Sequence, residues 1–377
     1  MGPGPSDVSA RVLGALSRPT IGHLDPAFQG LMEEIKASLT QLFQAPGYAC
    51  LPLPTPGTGG MEAALMNLLQ PGDIAVVAVN GQFGERMADM AGRAGATVVR
   101  VDHAWGEAVD PAKVETALKG AGAKVLAFVH AETSTGAMSD PGPLCALAKA
   151  HGALSVVDCV TSLGGIDVDA AGWEADVLYS GTQKCLSAPP GLSPFAMGPA
   201  ARAAVAARTT PVRNWLLDMG LIMSYWGGEG GRTYHHTAPI NALYGLHEAL
   251  VMIEEEGVPA AHARHRRLHE ALAAGIEAAG LGFLVAPGAR LPQLNAVLIP
   301  DGIDEAAVRS RMLAVHNLEI GAGLGPLKGR IWRIGLMGAS ATPWHVRACL
   351  TALMDALAAQ GFGDGGRGAL QAAEARL

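Results

Sequence analysis

Short apolar runs alternate with longer amphipathic stretches through the first two-thirds of the chain. Ile74–Val79, Thr97–Val101, Val125–His130, Leu154–Asp158, Val177–Ser180 and Leu192–Met197 are brief, apolar and rich in valine. Such runs predict strands covered on both faces, which show no polar alternation. Phe83–Ala94 and Leu144–His151 carry helical spacing between them. The alternation predicts a mostly parallel sheet clad by helices on both sides.

The texture changes near residue 258. His262–Ala279 predicts a long charged helix. Leu294–Ile299 and Arg330–Gly335 predict strands, and Asp304–Val315 and Thr342–Ala359 predict helices. The expected organisation is an N-terminal arm over residues 1–15, a large α/β domain over 16–257 and a smaller α+β domain over 258–377. The run "GFGDGGRG" (361–368) is expected to be mobile.

Composition narrows the class. With 377 residues, 49% hydrophobic and 16% charged, there is material for a large core. The 49 glycines and 24 prolines show no period, which excludes a collagen-like chain. A net charge of −7 counts against non-specific nucleic-acid binding. No apolar run reaches membrane-spanning length, and "MGPGPSDVSARV" lacks a signal-peptide pattern. Cys50, Cys145, Cys159, Cys185 and Cys349 are scattered, which fits reduced thiols in a cytoplasmic protein. The final Ala375-Arg376-Leu377 only loosely resembles a peroxisomal address.

Six stretches carry candidate chemistry. "TPGTGGMEAALMNLL" (55–69) runs a glycine-rich turn into a helix, a form that cradles phosphate through backbone N–H groups. It is not a dinucleotide fingerprint. Glu62 stands at the third glycine position, Asn80 stands where an acid is needed, and no strong Val/Ile strand leads in. Asp158 closes the run "LSVVD", at a strand end where open α/β sheets bind ligands, although a loop aspartate reads the same way. Lys184, in "YSGTQKCLSAPPG", follows another strand and has no acidic neighbour. Taken alone it reads as a surface lysine. Held among apolar groups, its amine becomes nucleophilic. Arg333 interrupts the apolar run "RIWRIG" and offers a planar fork to a structural or a bound carboxylate.

The other two are histidine-rich. "RTYHHTAP" (232–239) is dense in hydrogen-bonding groups but lacks a third metal ligand. His262, His265 and His269 share a helical face, interleaved with Arg264, Arg266 and Arg267. That pattern reads as a solvated face, and no metal is expected.

A phosphate cradle, a strand-end aspartate, a nucleophilic lysine and a carboxylate-binding arginine together match the needs of pyridoxal phosphate. Here the sequence resembles the class V aminotransferases of pyridoxal phosphate fold type I, in particular the alanine–glyoxylate and serine–glyoxylate (serine–pyruvate) type. "GPGPSDVSARVL", "PGTGGMEAALMN", "NGQFGERM", "HAETSTG", "VVDCVTSLGG", "YSGTQKCLSAPPG", "TYHHTAP" and "GLGPLKGRIWRIGLMG" carry the likeness over nearly the whole chain.

The resemblance implies a large domain with a mostly parallel seven-stranded sheet and a smaller C-terminal domain. It also implies pyridoxal 5′-phosphate as cofactor. Lys184 would be the Schiff-base lysine, with Gln183 near the phosphate. Asp158 would meet the pyridine nitrogen and Thr133 the ring hydroxyl. Val160 and Phe83 would cover the two ring faces, and Gly57 and Thr58 would hold the phosphate. Tyr234 and Thr237 would reach that phosphate from a partner subunit, which makes a homodimer. Arg333 would bind the substrate carboxylate, and Gly22 and His23 would line the substrate pocket. Pro56 departs from the family, where serine is common, and removes one N–H donor.

The implied reaction is ping-pong Schiff-base transfer of an amino group from alanine or serine to glyoxylate or pyruvate. No second arginine for a dicarboxylate stands out. Ureidoglycine–glyoxylate and pyridoxamine–pyruvate aminotransferases are the alternatives. Relatives using ureidoglycine tend to carry Gln and Asn where this chain has His23 and Tyr234. A nicotinamide-dependent oxidoreductase is disfavoured by the missing fingerprint.

Overall fold

The structure is a computed structural model, and it describes residues 1–227, 232–363 and 367–377. Twelve strands are described. Those numbered β1 to β6 are Ala49–Leu53, Ile74–Val79, Thr97–Asp102, Val125–Val129, Ala131–Glu132 and Ala137–Met138. Those numbered β7 to β12 are Leu154–Asp158, Val177–Tyr179, Ser193–Met197, Leu294–Leu298, Gly321–Ala322 and Ile331–Gly335.

Seven strands form the main sheet in the order β1-β9-β8-β7-β4-β2-β3. The central pairs are parallel, and only β9 runs against the rest. β4, β8 and β9 are buried at every position, as the valine-rich runs predict for a sheet covered on both faces. Helices reverse the chain between strands. Several start on an aspartate cap followed by proline, as at Asp110–Pro111 and Asp140–Pro141. The cap oxygen takes a first-turn N–H and the proline fits where no donor is needed. The parallel β7 and β8 end together at Asp158 and Tyr179, so both side chains reach the carboxyl edge of the sheet.

The second sheet is antiparallel, in the order β10-β12-β11, and Arg333 lies on its central strand. A separate core surrounds it, including Trp332, Ile334, Leu350 and Leu353. Helix Val258–Ala278 and helix Pro343–Ala358 supply much of that core.

The structure refines three expectations. No Val/Ile strand leads into the Gly-Thr-Gly-Gly turn, as expected, but a short strand of other composition, β1, does. It contains Pro52 and no Val or Ile, and it lies at the sheet edge, where proline is tolerated. The histidine face of the long helix is not solvated. His265 is 0% exposed, hydrogen-bonded to the Ala261 carbonyl and accepting from the Gly338 N–H. Burial lowers its pKa to about 4, so it is a neutral linker between helix and turn. Finally, the tail expected to be mobile falls partly outside the described residues, at 364–366. Beyond them Arg367–Glu374 is a helix whose Ala369 and Ala373 join the second core.

Candidate active site

Lys184 follows β8 on a loop tied down at each step. Ser180 N–H donates to Pro194 O at 2.7 Å, and Thr182 Oγ1 donates to Pro189 O at 2.6 Å. Ser187 closes the turn by donating its N–H to Lys184 O at 3.1 Å. The N-terminal segment lies across the loop. Ser6 N–H donates to Gln183 O at 2.8 Å, and Ser6 Oγ donates to Lys184 O at 2.7 Å. The lysine side chain is thereby aimed inward and is 9% exposed.

Its ammonium makes no ion pair with an acid among the described residues. Its hydrogen bond goes to the Pro3 carbonyl. Gly4 has φ +107° at this approach, a conformation that favours glycine, and a Cβ there would crowd Lys184 Nζ at 2.6 Å. Burial first, and then the charge of Arg333, lower the lysine pKa to about 8. A substantial neutral fraction therefore exists near neutral pH, and the neutral amine is the nucleophile.

Asp158 is buried at the end of β7. Its carboxylate accepts from Val160 N at 2.9 Å and from Tyr179 OH at 2.8 Å. Burial raises its pKa to about 7, against the pull of those two donors and of Lys184. A cation placed beside it would favour the charged form.

Arg333 reaches in from β12. Nε donates to Ala322 O at 2.7 Å and Nη1 to Thr133 O at 3.3 Å. It makes no ion pair among the described residues, although it is buried. A guanidinium satisfied only by carbonyls can still take a carboxylate. Thr133 belongs to the turn between β5 and β6 and is buried.

The glycine-rich turn lies next to Val160. A Cβ on Gly57 would meet Val160 Cγ2 at 2.9 Å and Ser180 O at 3.3 Å. Helix Gly57–Leu68 begins here, and the N–H groups of Gly57 and Thr58 have no intrahelical acceptor. Gln183 Oε1 is buried without a partner. Amide ends are interchangeable by a flip, so this side chain can equally present N–H groups. Phe83 is half-buried on helix Gln82–Arg93.

Gly22, His23, Tyr234 and Thr237 belong to a different setting. Tyr234 is 61% exposed, and its hydroxyl meets Thr237 Oγ1 at 3.3 Å. The His23 ring packs on Tyr234 with centroids 5.3 Å apart. No hydrogen bond among the described residues joins this group to Lys184, Asp158 or Arg333.

Sequence reasoning passed over two groups that shape the site. Tyr179 lies opposite Asp158 in the strand register, a relation visible only once the strands pair. Glu132 is fully buried and caps helix Gln82–Arg93 from β5. It accepts from Phe83 N at 3.1 Å, Gly84 N at 3.3 Å, Ser134 N at 3.0 Å and Ser134 Oγ at 2.6 Å. Burial pushes its carboxyl up, and these donors oppose the shift. Four donors and no acceptor describe a carboxylate, which completes a helix start whose own N-cap, Gly81, makes no side-chain bond.

The profile of the family described as Aminotransferase class-V matches residues 7–325. The chain belongs to the class-V aminotransferases. It is an enzyme of amino-group transfer with the pyridoxal phosphate fold type I architecture. The aminotransferase is similar to the solved alanine–glyoxylate aminotransferase of Nostoc sp. The two share 44% identity and a TM-score of 0.93, covering 95% of this chain and 94% of that one. The ureidoglycine–glyoxylate aminotransferase structure from Bacillus subtilis gives 36% identity and a TM-score of 0.96, covering 100% and 96%. The pyridoxamine–pyruvate aminotransferase of Mesorhizobium loti gives 30% and 0.94, covering 99% and 95%.

Proposed function

We propose that this aminotransferase uses pyridoxal 5′-phosphate to move an amino group from alanine or serine to glyoxylate or pyruvate. The observation that carries this reading is the meeting of two buried cations that form no ion pair among the described residues. Lys184 and Arg333 share one site, and both are satisfied by carbonyl oxygens alone. Such cations are costly unless a reactive or anionic ligand completes them.

The residues present fit the cofactor. Lys184 would hold its aldehyde carbon and Asp158 its ring nitrogen. Thr133 would meet its hydroxyl, with Phe83 and Val160 on the ring faces. Gly57, Thr58 and Gln183 would hold its phosphate, with Gln183, whose buried Oε1 has no partner, flipping its amide to present N–H groups there. When bound, pyridoxal phosphate acts as an electron sink for the carbon that loses a proton.

The chain's own groups do the rest. Asp158 would favour a protonated ring nitrogen. Lys184, with its pKa lowered to about 8, would take the proton from the amino acid's α-carbon and deliver it to the carbon that had been the cofactor's aldehyde, two atoms along. Arg333 fixes the substrate carboxylate and so the orientation of the reacting bond. Arg333 has no arginine companion among the residues assigned to the site, which favours a small neutral amino acid over aspartate or glutamate.

The homodimer belongs to the same proposal. His23 packs on Tyr234 and Trp215 packs on His235, and Trp215 and Leu24, the neighbours of these histidines in space and in sequence, are exposed apolar side chains, as expected of a surface awaiting a second subunit. His23 packs on Tyr234, so it and Gly22 would enter the same site as Tyr234 does. A cytoplasmic location is supported by the five free, buried cysteines.

A donor-by-acceptor panel tests the reading. Alanine, serine, ureidoglycine and pyridoxamine are crossed with glyoxylate and pyruvate, with aspartate and glutamate as controls. Alanine or serine is expected to give the highest kcat/KM. Turnover led by aspartate or glutamate would sink the small-substrate assignment. Turnover led by pyridoxamine or ureidoglycine would move the chain to one of its other two relatives.

A further inference from the structure

Arg86 has no role in the site described so far. It lies on helix Gln82–Arg93, half-buried, and makes no ion pair with an acid among the described residues. Two neighbours fix it. Nη1 donates to Thr58 Oγ1 at 3.0 Å, and the guanidinium carbon lies 5.0 Å from the Phe83 ring centroid. The helix that carries both Phe83 and Arg86 is itself anchored by Glu132. The guanidinium is therefore held at the mouth of the glycine-rich turn, and one bond to a hydroxyl leaves most of its five donors free.

The turn has a complementary deficit. Pro56 is the N-cap of helix Gly57–Leu68 and makes no side-chain cap bond. Proline also lacks the N–H that another residue would offer to an anion. The helix start thus presents Gly57, Thr58 and little else of its own chain. A positively charged fork stands one hydroxyl away.

We propose that Arg86 is a phosphate-recognition residue, supplying the charge that the Pro56 turn lacks. This inference rests on the cofactor reading above and goes beyond it. It makes Arg86 the residue by which the site distinguishes a phosphorylated pyridoxal from the unphosphorylated vitamer. Thr58 Oγ1 accepts from Arg86, which leaves the Thr58 hydroxyl proton to point at the anion. The Phe83 ring keeps the guanidinium from swinging into solvent.

The test is a binding titration of cofactor-free protein with pyridoxal phosphate and, separately, with pyridoxal, followed by absorbance. The quantity read is the ratio of the two Kd values. Arg86→Met keeps a stem of similar length over Phe83 and removes the charge. It is expected to weaken pyridoxal phosphate about tenfold to a hundredfold, as for loss of a hydrogen bond to a charged group. Its Kd for pyridoxal should stay within about twofold, since that ligand offers Arg86 no anion. Inorganic phosphate should compete with pyridoxal phosphate in the wild type and much less in Arg86→Met. Equal weakening of both ligands would overturn the proposal, because it would mark a structural role. An unchanged ratio with unchanged affinities would overturn it as well.

If Arg86→Met does not accumulate as folded protein, Arg86→Lys decides. A compact ammonium cannot serve Thr58 and a phosphate together, so the ratio should fall about threefold to tenfold. An unaltered ratio there overturns the proposal. A wild-type protein that binds neither ligand would instead refute the cofactor reading.

Discussion

Lys184 is 9% exposed and Tyr234 is 61% exposed, yet the sequence assigns both to one site. The contrast extends to their neighbours. Around Lys184, the chain supplies every contact itself: the Pro3 carbonyl, the Ser6 bonds to the loop, Asp158 with Tyr179, and Arg333 with Thr133. Around Tyr234, the side-chain partners among the described residues are Thr237 and the His23 ring. On the proposed reading, the inner group sets the chemistry and the outer group completes the site of a second subunit. The two should therefore respond differently to substitution and to the presence of a second subunit.

The largest effect belongs to the inner group. Lys184→Ala removes both the attachment point and the group that moves the proton. Turnover should fall about a thousandfold or more. The absorbance change on adding pyridoxal phosphate to the cofactor-free protein should vanish with it. Near-full turnover in this variant would break the assignment of the chemistry to the inner group. In the wild type, capture of the cofactor should speed up as pH rises through about 8, where the Lys184 amine loses its proton.

The next effect separates the groups. The paired change Tyr234→Ala with Thr237→Ala should weaken cofactor retention about tenfold through lost phosphate hydrogen bonds. Mixing that variant with Lys184→Ala subunits sharpens the comparison. In a mixed dimer, one site would combine an intact Lys184 with the other subunit's intact Tyr234 and Thr237. At limiting cofactor, where the double variant alone is largely empty, random pairing would then restore about a quarter of wild-type turnover, set by the fraction of intact sites in a two-fold assembly. No recovery above the two variants measured alone would mean that Tyr234 serves its own chain's site.

The same contrast explains what the sequence could reveal. Lys184 was legible because its loop offers no acid, and it forms no ion pair among the described residues, its hydrogen bond going to the Pro3 carbonyl. The valine-rich strands were legible because a fully covered sheet needs no polar alternation. β1 was not, because "ACLPL" lacks the usual β-branched residues and owes its place to the sheet edge. His265 was misread because helical spacing alone does not say which faces are packed. Its partner, the Gly338 N–H, comes from a turn far along the chain. Tyr179, Glu132 and Arg86 share that difficulty. Each acts on a residue that only strand register or helix packing brings close, so motif spacing carries no sign of it.

The last effect lies within the inner group, is read as stability rather than turnover, and concerns Asp158. Its pKa in the cofactor-free protein is raised to about 7 by burial. A raised folded-state pKa means the native protein binds the proton more tightly than the unfolded chain. The stability this contributes is fully present below the ordinary aspartate range and is lost as pH rises through about 7. Cofactor-free wild type should therefore lose on the order of a few kcal/mol between pH 4 and 8, relative to Asp158→Asn. Chemical denaturation at both pH values measures the difference. Tyr179→Phe tests the partner. Removing the 2.8 Å hydroxyl bond takes away one donor that favours the carboxylate, so the loss should move to higher pH. At pH 8 the variant should be roughly 1 kcal/mol less stable than wild type. Bound cofactor should shrink both effects, because a positive ring nitrogen facing Asp158 lowers its pKa. If the pH dependence persists undiminished with cofactor bound, the ring nitrogen does not face this carboxylate.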